Sequence, residues 1–118
     1  MKSYTDLEQS KILAELLPLE SADMHYVMVD TENKTYSAGL SNYIGILPSL
    51  PCWSLAALLK CIGKIKPQVY TPILFLSEGK WILQFVEYGH GNVCEVSCNN
   101  PVDACYEMIL KLSELKML

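Results

Sequence analysis

Pro51-Cys52-Trp53-Ser54-Leu55-Ala56-Ala57-Leu58-Leu59-Lys60-Cys61-Ile62-Gly63 is the densest apolar segment of this 118-residue chain. The segments on either side need a surface of its kind to pack on. Ser54 is a good N-cap, and Trp53 stands where it can close on Leu58 as a hydrophobic staple. Leu55, Leu58, Leu59 and Ile62 share one helical face, and Gly63 supplies a stop. The expectation is a core helix over Ser54 to Ile62, lying under a sheet. The wider apolar run from Tyr43 to Gly63 approaches the length of a membrane span, but Pro48 and Pro51 break it. Its uninterrupted helical part is about ten residues, roughly 15 Å, half a hydrocarbon core, so no membrane segment is expected. A disulfide between Cys52 and Cys61 is excluded too, because nine residues of helix hold their Cα atoms about 13 Å apart.

Downstream, Ile73-Leu74-Phe75-Leu76 and Trp81-Ile82-Leu83-Gln84-Phe85-Val86 read as two strands joined through Ser77-Glu78-Gly79-Lys80. The turn Gly89-His90-Gly91-Asn92 leads to a third strand, Val93 to Cys98, completing an antiparallel meander. The middle strand is apolar on both faces, which predicts a central strand covered on two sides. Asn100-Pro101-Val102-Asp103 then opens a helix over Pro101 to Leu115: Asn caps, Pro takes the first turn, and Asp103 complements the helix dipole. Upstream, Met24 to Asp30 and Thr35 to Leu40 make a hairpin across Thr31-Glu32-Asn33-Lys34, and Ser41 to Leu50 is expected to be an irregular crossing. A first helix over Thr5 to Leu17 has Thr5 and Glu8 as its capping box and Pro18 as its stop.

The chain is expected to form a single globular domain over residues 1–118, with an α+β fold in which an antiparallel sheet of 3–5 strands packs against about three helices. Half of its residues are apolar and its net charge is −4. All nine basic residues are Lys, with no Arg for the bidentate fork that reads phosphate or guanine, so nucleic-acid binding is disfavoured. A polar, acidic start without an apolar signal segment and five cysteines, an odd number, point to a cytoplasmic protein with free thiols.

The chemistry-bearing residues are few. His90, Cys94, Cys98 and Cys105 place three thiols and an imidazole within sixteen residues. Zinc takes four such ligands, but structural sites favour pairs two to four residues apart, and no Cys-x-x-Cys occurs. Alternation puts Cys94, Val96 and Cys98 on one face of their strand, and Cys105 lies on the inward face of the next helix, so a buried core set explains more. A Cys–His nucleophilic pair using Cys94 or Cys98 with His90 and Asp103 needs an exposed thiol, against that pattern. Gly89-His90-Gly91 lacks the Lys and the helix of a phosphate loop. His25, in a strand with Val27 and Val29 on its side, reads as a satisfied structural histidine.

Leu50-Pro51-Cys52-Trp53-Ser54-Leu55-Ala56-Ala57-Leu58-Leu59 and Asn100-Pro101-Val102-Asp103-Ala104-Cys105-Tyr106-Glu107-Met108-Ile109 resemble segments of small uncharacterised proteins of gut Bacteroides and their phages or mobile elements. The likeness covers residues 45–118 and rests on structural motifs, a Pro-x-Trp-Ser-Leu helix start and an Asp-Ala-x-x-x-Met-Ile helix. That family has no assigned activity; the resemblance implies a bacterial or phage setting and carries no site residues. The expectation for function is a non-enzymatic interaction or accessory protein, without a cofactor, whose partner is another protein or a second copy. The alternative is a small-molecule- or metal-binding domain built on Cys94, Cys98, Cys105 and His90.

Overall fold

The computed structural model describes residues 2–30, 32, 35–40 and 49–118, and only the backbone of residues 28–30, 35–40 and 49. Its elements run α1 (Leu7–Leu16), β1 (Met24–Asp30), β2 (Thr35–Leu40), β3 (Ser49–Cys52), α2 (Leu55–Gly63), β4 (Tyr70–Ser77), β5 (Lys80–Glu87), β6 (Gly91–Cys98) and α3 (Pro101–Glu114). This is an α+β fold, but its strands form two antiparallel sheets of three, ordered β2-β1-β3 and β4-β5-β6. No helix among the described residues is long and apolar enough to cross a membrane.

The central segment behaves largely as its pattern demands. Ser54 caps α2 by accepting from the Ala57 N–H, and Trp53 and Leu58 are both fully buried. Gly63 is not the stop, however. It stays inside the helix, the cap residue is Lys64, and the left-handed position falls on Lys66 at φ 37°. Trp53, Leu58 and Ile62 meet Leu83 and Phe85 of β5 and Met108, Ile109 and Leu112 of α3 in one core. Each such side chain contributes about 1.5–3 kcal/mol by leaving water. Tyr70 stacks on Phe85 with ring centroids 4.9 Å apart.

At the start of the chain the capping box is Asp6 with Gln9, one residue later than the Thr5–Glu8 pair. Thr5 is diverted inward. Its hydroxyl accepts from the Trp53 N–H at 3.1 Å and lies 2.8 Å from the Ser10 hydroxyl, while its own N–H donates to the Trp53 carbonyl. Ser49 and Leu50, expected in an irregular crossing, belong to β3, which among the described strands pairs with β1 alone and so tolerates Pro51 as an edge residue. Residues 41–48 and the turn residues 31, 33 and 34 lie outside the described residues. The β1–β2 and β4–β5–β6 pairings otherwise follow the expected strands, with Asn100 capping α3 through the Asp103 N–H.

Candidate functional site

The expected thiol cluster is spread along the layer between β6 and α3. Cys94 and Cys98 are half-buried on the inner face of β6, and Cys105 is fully buried in α3. The Cys94 thiol points to the Met108 sulfur at 3.3 Å. His90 is exposed in the β5–β6 turn, at the opposite end of β6 from Cys98, about 25 Å away at strand rise. Burial pushes all three thiols up; Cys105, with Cys98 adding to the effect, reaches about 12. A thiol held neutral is a poor nucleophile and a poor ligand. Among the described residues no three His, Cys, Asp or Glu side chains converge on a common point.

Asp103, the third member of the nucleophilic arrangement, is engaged elsewhere. Burial alone would raise its pKa, but hydrogen bonds from Lys2 and Gln9, each at 2.8 Å, and from Asn100 leave it below the ordinary carboxylate value. Its work is to tie the first residues of the chain to the start of α3.

A buried polar knot that the sequence did not announce lies at the junction of α1, β1 and β3. The Tyr26 hydroxyl and the Cys52 thiol both reach the Thr5 carbonyl, at 2.8 and 3.5 Å. Beside it Asp23 accepts from the backbone N–H and the hydroxyl of Ser54, and the Trp53 indole N–H donates to Ser21 at 2.9 Å. Burial raises the pKa of the Tyr26 phenol to about 12 and pushes the Cys52 thiol up as well. Every polar group here is answered by another, so the knot has structural work and no spare reactive group. His25 departs from expectation: its Nδ1 is buried without a hydrogen-bond partner among the described residues.

Two surfaces remain. The first is the outer face of the β4–β5–β6 sheet. The helices packed most extensively on this sheet, α2 and α3, contribute to the core on its inner face, so the expected second cover over β5 is not supplied by them. Register places Ile73 and Phe75 of β4 beside Gln84 and Ile82 of β5 on the outer side, with Val86 beyond them. Ile73 is 42% exposed, Phe75 36% and the neighbouring edge residue Leu76 57%. The three eight-residue strands span roughly 14 by 26 Å, and the apolar part of this face, Ile73, Phe75, Ile82 and Val86, lies on the β4 side of it.

The second is a half-open cavity of about 390 Å³ between the C-terminal ends of α1 and α2 and the residues after α3. Leu17, Cys61, Ile65 and Met117 give it an apolar floor, and Lys64, Lys66 and Glu20 stand among its lining residues. None of those three charged groups makes an ion pair within the described residues. Its volume lies at the low end of the range for small-ligand pockets, about 300–1,000 Å³.

Comparison of the chain with protein-family models, with curated proteins and with solved structures found no match in any of the three.

Proposed function

We propose that the chain is a non-enzymatic interaction protein, and that β4 with the outer face of its sheet is the binding surface. The observation that carries this reading is the combination found at β4. Tyr70-Thr71-Pro72-Ile73-Leu74-Phe75-Leu76-Ser77 is an edge strand without a single charged residue, and half of it is exposed. Proteins ordinarily protect such edges with charge, because an apolar edge recruits another chain. A cytoplasmic bacterial or mobile-element setting is part of the same proposal. It is supported by the sequence resemblance and by five cysteines, none of them in a disulfide.

The test is affinity isolation from the cells that encode the protein, comparing the native chain with Phe75→Glu. The native chain is expected to retain a defined protein, its own copies included, in stoichiometric amount, and the variant to lose it. Identical recoveries from the two overturn the reading.

The cavity favours a second reading, a binding site for a small amphiphile. An apolar floor beside two lysines that make no ion pair among the described residues suits a short acyl chain with an anionic head. Decanoate is expected to raise the unfolding temperature, and a Lys64→Ala/Lys66→Ala variant to lose that rise. An equal rise in the variant, or none in the native chain, removes this reading.

A further inference from the structure

We infer that the partner for β4 is the β4 of a second copy of this chain, paired antiparallel so that two three-stranded sheets become one of six. This inference rests on the reading of β4 as the binding surface. The β4–β5 turn has two central residues, Glu78 and Gly79, both at positive φ, as a type I′ hairpin requires. Such a turn makes Ser77 and Lys80 a hydrogen-bonded pair, and from there the bonding alternates along the uninterrupted register. Ser77, Phe75, Ile73 and Thr71 therefore bond to β5. Leu76, Leu74, Pro72 and Tyr70 direct their backbone groups away from it.

The fate of those four outward positions differs. The Tyr70 N–H is taken by the Lys66 carbonyl at 3.0 Å, and Pro72 has no N–H to offer. Leu74 and Leu76 are left with outward donors that have no acceptor among the described residues. Among the described residues the free edge is thus these two residues long.

One symmetric register uses both. With Phe75 opposite Phe75 of the second copy, Leu74 faces Leu76 of the other chain and Leu76 faces its Leu74. All four donors then find carbonyls, and both Pro72 residues fall outside the bonded stretch. Shifting by two residues one way sets Leu76 opposite Pro72, which has no N–H to return, and the other way sets Leu74 opposite Glu78 in the turn, where bonds are lost. In the favoured register the exposed Leu76 side chain gains an apolar neighbour, and the outer stripes of Ile73 and Phe75 become continuous. Charge does not oppose it: the two Glu78 residues end about 20 Å apart. The other edge is guarded. β6 carries a bulge where it meets Phe85 and Val86, and Glu95 stands in its middle.

The bonded stretch is short beside the ~800 Å² per partner of a standard interface, so the dimer is weak and concentration-dependent. Light scattering on the native chain between about 1 μM and about 1 mM is expected to show the mass rising from monomer towards dimer. Leu76→Pro removes one outward donor per copy, two bonds per dimer, and is expected to weaken association about thirtyfold. Leu76→Lys keeps the backbone and places a charge on the edge; it is expected to leave a folded monomer, and decides the matter if Leu76→Pro does not fold. A native chain that stays monomeric throughout, or a dimer unchanged in Leu76→Lys, overturns the inference. If monomer is found while Phe75→Glu still loses a different protein on isolation, self-pairing fails and the interaction reading stands.

Discussion

The two faces of the β4–β5–β6 sheet are built from the same strands and similar side chains, yet they do opposite things. On the inner face Leu83, Phe85 and Val96 are buried against α3 and α2. On the outer face Ile73 and Phe75 lie open, and Gln84 donates to Glu95 at 2.7 Å where a core would allow no such pair at its centre. The edges differ in the same sense: β6 is bulged and charged, β4 uncharged and straight in register. Apolar composition alone therefore does not locate the core of this protein. The helices do, and what they leave uncovered is the candidate surface.

Substitutions can break this comparison, beginning with the largest effect. Phe85→Ala should destabilise the fold by about 3–5 kcal/mol, measured by denaturant unfolding, because a fully buried ring stacked on Tyr70 is lost. A cost like that of an exposed site would mean the inner face is not the core. Thr5→Ala should cost about 1–3 kcal/mol, since it leaves the buried Trp53 N–H without its acceptor. Thr5→Ser, which keeps the hydroxyl, should recover most of it.

Asp103 sharpens the role of α3, the helix that makes the inner face. Its pKa in the fold lies below the ordinary value, so its contribution is complete above the unfolded pKa of about 4. That contribution is lost as the pH falls through the folded value. Asp103→Asn should remove this part of the acid sensitivity, read as a flatter dependence of the unfolding midpoint below about pH 4. The smallest effect belongs to the outer face: Phe75→Glu should change monomer stability by less than about 1 kcal/mol while abolishing association.

Much of this was legible in the sequence, and the failures have local causes. The caps Ser54 and Asn100, the meander and the inward cysteines all followed from spacing. The start of α1 did not, because Thr5–Glu8 and Asp6–Gln9 are overlapping capping boxes one residue apart. Contacts with Trp53 and Ser10, distant or buried, choose between them. β3 was hidden because Pro51 argues against a strand unless the strand is known to be an edge. Covering over both faces of β5 was a fair reading of an apolar strand, but periodicity cannot say whether the second cover is a helix of the same chain or another molecule. The cavity was out of reach for a similar reason: Leu17, Cys61 and Met117 come from three distant segments.

Amide exchange resolved by residue, followed as the protein is concentrated, tests the central claim most directly. The account predicts that the Leu74 and Leu76 amides slow as concentration rises, while those of Glu95 and Ser97 on the β6 edge keep their rates. Protection appearing on β6 instead, or no change at Leu74 and Leu76 across the whole range, would contradict it.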